Sequence, residues 1–178
     1  MLDLIIPASE RYNEETNEFI QTKEQRLCLE HSLISLSKWE AKYEKPFLSS
    51  EKSPLEILDY IRFMTLTQNV SPEVFLGLTK ENVDAIQKYI EAPMTATTVT
   101  HTNKKRNTEI VTAELIYYWM IALNIPFECQ KWHLNRLLKL IEVCSVKSEP
   151  PKKMSKSEIL ARNRELNAAR RAKYHSKG

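Results

Sequence analysis

Cys129 and His133 are the residues whose types and spacing come closest to a chemical site. A separation of four on a helix puts two side chains on one face. A thiolate beside an imidazole can hold a metal or work as a nucleophile–base pair. Cys144 lies eleven residues beyond His133, about three helical turns away. A structural zinc site takes four ligands, and this pattern offers two on one face. A catalytic pair also needs an oxyanion hole and an orienting group, and the sequence shows neither. The pair therefore reads as a small buried thiol beside a hydrogen-bonded imidazole.

Other chemistry is equally thin. The pairs Glu14 and Glu15, and Glu109 and Glu114, fall among turn and cap positions. They read as solvated or capping charges, not as an acid/base couple. Tyr117, Tyr118, Trp119 and Trp132 have faces that can stack on bases or sugars, but their density in the most apolar stretch points to core packing. Asn135 and Arg136 read as solvated surface. Glycine occurs only at Gly77 and Gly178. Phosphate-cradling loops and dinucleotide-binding turns need glycine where backbone meets phosphate, so neither can be built. The expectation is a protein with no catalytic residue, cofactor or metal, and not an enzyme.

The elements follow from periodicity. Leu2, Leu4 and Ile6 alternate with Asp3 and Ile5, and Leu27 and Leu29 alternate with Arg26, Cys28 and Glu30, the period of half-buried strands. Residues 1–31 thus read as a β-meander or hairpin, with a polar turn over Arg11–Glu18. Ser32 then caps a helix with Leu33, Leu36, Trp39 and Tyr43 inward and Lys38, Glu40 and Lys42 outward, ended by Pro46. Ser53-Pro54 and Ser71-Pro72 open two more. The first shows Leu55, Leu58, Ile61, Phe63 and Met64 as its apolar face. The second breaks near Gly77. Thr79 to Ala92 makes a fourth, closed by Pro93. Met94–Thr100 reads as a strand or extended loop before a basic turn at Asn103–Asn107. Thr112 caps a helix to about Leu123 that is apolar nearly all round, hence central. An amphipathic helix from Glu128 to about Val146 pairs with it antiparallel. The fold class is α+β, predominantly α: the N-terminal strands packed on a helical bundle, with a C-terminal basic helical extension.

The chain divides into a body, residues 1–146, and a tail, 147–178. The tail opens on Pro150-Pro151, and Ser155 with Glu158 forms a capping box for a new helix. It holds ten of the 26 basic residues and three of the 23 acidic ones. Its large aliphatics are Ile159, Leu160 and Leu166, too few to bury much. Such a helix is built to touch something else, with Ile159, Leu160 and Leu166 as apolar anchors and Arg162, Arg164, Arg170 and Arg171 as charge contacts. Tyr174 is the tail's one aromatic, so stacking on single strands has little to work with. A protein partner fits better than nucleic acid. Three cysteines, an odd and sparse count, point to reduced thiols in a cytosolic setting. No apolar run reaches the ~18 residues that span a bilayer, so no membrane partner is expected.

Ile116 to Leu138 (IYYWMIALNIPFECQKWHLNRLL) is a distinctive run. With it go Pro150-Pro151-Lys152-Lys153-Met154-Ser155, Ala161 to Asn167 (ARNRELN), Lys38-Trp39-Glu40 and Glu91 to Thr97 (EAPMTAT). Over most of its length the chain resembles a family of small proteins of long-tailed bacteriophages described as tail assembly chaperones. The resemblance implies a non-enzymatic role in the host cytoplasm: binding the phage tape measure protein and other tail proteins, and keeping the former soluble until the tail tube closes round it. It also makes room for self-association. The alternative is a structural virion protein, such as a head–tail connector or tail completion component. A nucleic-acid-binding accessory protein ranks below both.

Overall fold

Pro7 divides the N-terminal strands without ending their pairing. The computed structural model describes residues 1–13, 17–98, 109–148 and 155–175, and opens with β1 (Leu2–Ile6), β2 (Ser9–Asn13), β3 (Glu18–Thr22) and β4 (Gln25–Leu29). β1 runs antiparallel to β4, with Leu2 opposite Leu29 and Ile6 opposite Gln25. β2 runs antiparallel to β3, with Ser9 opposite Thr22 and Asn13 opposite Glu18. The register continues from one ladder to the other without a slip, so that Pro7 and Ala8 stand across from Glu24 and Lys23. Of the two expected forms it is the hairpin that appears, interrupted where proline has no N–H to give. Leu4, Ile6, Leu27 and Leu29 are buried at its base, as their alternation requires. Gly77 packs against this base: a Cβ there would meet Ile6 Cγ2 and Ser9 Oγ, each at 3.2 Å.

The helices are α1 (Leu33–Tyr43), α2 (Pro54–Met64), α3 (Lys80–Glu91), α4 (Ala113–Ala122), α5 (Leu134–Ser148) and α6 (Lys156–Tyr174), with short 3-10 helices at Pro72–Gly77 and Phe127–Lys131. The described residues are mostly helical, with strands only in the N-terminal hairpin, an α+β fold dominated by α. Four expected caps are in place. The hydroxyls of Ser32, Ser53, Thr79 and Thr112 accept from the backbone N–H three residues on, satisfying a donor that a helix start leaves open. Two compact units make up the chain, Met1–Val146 and Lys147–Gly178. The core of the first centres on Leu27, Leu29, Leu33, Leu36, Trp39, Met64, Ile116, Met120, Leu134 and Leu137.

Several local expectations are overturned. α1 stops at Tyr43, before Pro46, because Glu44 turns left-handed at φ 54°. Glu40 points inward. Its carboxylate accepts from the N–H of Phe47 and of Ala113, both at 2.7 Å, tying α1 to the loop after it and to the start of α4. On α2, Leu55 and Ile57 are exposed while Glu56, Asp59, Tyr60, Ile61 and Met64 are buried. Asp59 can go under because Tyr43 Oη donates to it at 2.6 Å, Arg62 at 2.9 Å, and Lys42 pairs with it. Ser71-Pro72 opens a 3-10 helix, not an α-helix.

α4 is not central. Ala113, Ile116 and Met120 form one buried stripe, while Tyr118 and Ile121 are 64% and 60% exposed. The long helix expected from Glu128 is two elements, a 3-10 turn to Lys131 and α5 from Leu134. Extended backbone between them bridges His133 to Ser32. Residues 94–98 form no strand. The rest of that expected strand, the basic turn at Asn103–Asn107, Glu14 and Glu15, and the Pro150-Pro151 linker lie outside the described residues.

Candidate functional site

Every residue from Lys156 to Tyr174 is exposed, so α6 holds itself together by local means. Ser155 Oγ accepts from Glu158 N–H, and Glu158 Oε2 accepts from Ser155 N–H at 2.7 Å, a capping box. Glu158 in the first turn and Arg171 and Lys173 in the last suit the helix dipole. His175 closes the helix in the left-handed region. All seven residues singled out from sequence sit here. Ile159, Leu160 and Leu166 are 45%, 58% and 46% exposed. Ile159 and Leu166 are two turns apart on one line, with Arg170 beside it one turn further on. Arg162 flanks the line on one side. Leu160 flanks it on the other, with Arg164 and Arg171 beyond.

The cysteine–histidine pair does not assemble. Cys129 sits in the 3-10 turn and His133 in extended backbone ahead of α5, so no helix holds them on one face. Burial pushes the Cys129 thiol above its ordinary range. His133 Nε2 donates to Tyr89 O at 3.0 Å, and Nδ1 accepts from Asn135 N–H at 3.3 Å, capping α5. Its neighbour is His31, which the sequence reading passed over. The rings meet edge to face, centroids 5.1 Å apart, and His31 Nδ1 lies 2.6 Å from Tyr60 Oη. Burial, with His133 beside it, holds His31 down at about 3, and burial lowers His133 as well. Both rings are structural. Among the described residues no three His, Cys, Asp or Glu side chains gather as metal ligands. Asn135 is not a solvated residue either: Nδ2 donates to Ile90 O and Ala92 O, both at 2.9 Å, closing the end of α3.

A cleft of about 660 Å³ opens beside this knot. Glu30, Ser32 and His133 line its polar wall, and Ile34, Phe63, Leu66, Met94 and Trp132 its apolar one. Lys38 of α1, Lys131 of the 3-10 turn and Arg136 of α5 also line it, with Met1 and Thr65. Arg136 stacks over the Trp132 ring at 4.1 Å. Tyr89 Oη donates to Glu30 Oε1 at 2.6 Å, and the Met1 α-amino group lies 3.0 Å from Glu30 Oε2. A second groove of about 450 Å³ runs between α4 and α5, with Trp119, Leu123, Leu138 and Ile141 in its walls. Trp119, expected in the core, is half-buried. The sequence carried no signal for the first cavity, because its walls come from elements far apart in the chain, whereas the second lies between two helices adjacent in the chain. No protein-family model, curated protein or solved structure matches this chain. Among the described residues no helix is long and apolar enough to cross a membrane.

Proposed function

We propose that this chain is a non-enzymatic, polypeptide-holding protein: a phage tail assembly chaperone that binds the tape measure protein in the host cytoplasm and keeps it soluble while the tail tube forms. The observation that carries the reading is α6, a fully exposed capped helix with three aliphatic side chains and a cationic border. Exposed aliphatic side chains along a helix can anchor it in a partner's groove. The exposed Tyr118 and Ile121 on α4 give the body apolar surface as well. The buried histidines support the same reading, since both are committed to structural hydrogen bonds.

The experiment is co-expression with the tape measure protein and measurement of its soluble fraction. The full chain should hold it in solution. A chain ending at Val146, and a full-length Ile159→Ser, Leu160→Ser, Leu166→Ser variant, should each lose most of that effect. Equal solubility with all three would remove α6 from the function. Mass spectrometry of purified particles separates this reading from a virion component, since a chaperone should be missing from them.

A further inference from the structure

Residues 1–146 contain 16 basic and 20 acidic residues, yet three cations from three separate elements border one cleft. Lys38 and Lys131 are exposed and have no ion-pair partner among the described residues. Arg136 lies over the Trp132 face and has no carboxylate partner among the described residues, so its remaining N–H groups are open to an anion. Like charges brought together raise the local potential and draw in anionic groups. The one carboxylate in the lining, Glu30, does little to cancel them, because the Tyr89 hydroxyl and the Met1 α-amino group already occupy both its oxygens. Phe63, Leu66 and Trp132 give the same cleft an apolar wall.

We propose that this cleft is the docking groove for an acidic amphipathic helical segment of a partner polypeptide. Apolar side chains spaced three and four apart would lie against Phe63, Leu66 and Trp132, with flanking carboxylates on Lys38, Lys131 and Arg136. The volume falls in the range of roughly 300–1,000 Å³ typical of binding clefts, and one-faced helices dock in grooves by such anchors. Charge decides against a second copy's α6, since Lys156–Tyr174 carries six basic and two acidic residues and the rim would repel it. The groove deepens the chaperone reading by naming the chemistry of one contact. It lies in the body unit, so it can fail while the α6 contact stands, and the reverse.

The test is isothermal titration of the full chain with a synthetic helical peptide of about 18 residues, five turns. Leucines occupy one face and glutamates the rest; the control peptide has lysine for glutamate. The glutamate peptide should bind and the lysine peptide should not. Lys131→Glu with Arg136→Glu should weaken the glutamate peptide at least about tenfold, and Leu66→Ala should also weaken it. These three positions are exposed or solvent-facing, so folding should survive, as circular dichroism would verify. Changing Arg162, Arg164, Arg170 and Arg171 to glutamine should leave binding in place. Equal binding of both peptides, no binding, indifference to the charge reversal, or loss on changing α6 alone would each overturn the proposal.

Discussion

Two buried histidines make the stability of this fold sensitive to mild acid. His31 has a folded-state pKa of about 3 against its usual 6.5, and His133 is lowered too. Between those limits the unfolded chain takes up protons that the native one refuses. Stability is therefore full above about pH 6.5 and declines as the pH falls, by up to ~1.4 kcal/mol per pH unit for His31, with His133 acting in the same direction. Glu56 and Asp59, lowered by Lys45 and Lys42 respectively, lose their contribution only as the pH drops through the carboxylate range. The interval from pH 6.5 to 5 belongs to the imidazoles. Urea midpoints should fall across it, and His31→Gln should flatten the slope. A flat profile in the unaltered protein would show that the rings are not held neutral. That His133 is a hydrogen-bonded, buried imidazole was legible in the sequence, and the place of His31 beside it was not. Spacing can relate His133 to Cys129, but nothing local announces that residue 31 will meet residue 133.

At the level of elements, caps and periods were readable while exposures were not. Ser32, Ser53, Thr79, Thr112 and Ser155 each start a helix where the sequence placed it, because a hydroxyl satisfies a neighbouring N–H whatever the tertiary context. The apolar composition of α4 was misleading: residues that could all be buried are split by where α1 happens to lie, leaving Tyr118 and Ile121 outside. Glu40 failed in the opposite direction. A glutamate on an amphipathic helix reads as solvated, yet it fastens α1 to α4 through the Ala113 N–H. Replacing it with alanine orphans that donor and the Phe47 N–H together, and should lower unfolding free energy by about 2–4 kcal/mol. Glu40→Gln keeps one oxygen acceptor and should cost less. Chemical denaturation of the two variants checks this, and an effect below ~1 kcal/mol from the alanine would mean water replaces the carboxylate.

Across the whole molecule, charge is divided: residues 147–178 carry ten basic and three acidic residues, and the body has the acidic excess. The fold has room for this asymmetry because α6 buries none of its residues, so core packing places no demand on its arginines. A chain with a cationic extension and an anionic body should attract copies of itself head to tail, a heterologous contact that leads to rings or open chains. Exposed charges interact over a Debye length of about 10 Å at 0.1 M salt and about 3 Å at 1 M, so the association should be strong at low ionic strength and gone at high. Analytical ultracentrifugation over that range should show it. Replacing Arg162, Arg164, Arg170 and Arg171 with glutamine should abolish it while leaving the urea midpoint unchanged. Association that persists in molar salt would instead place the contact on apolar surface, with the exposed Tyr118 and Ile121 of α4 as the first residues to change.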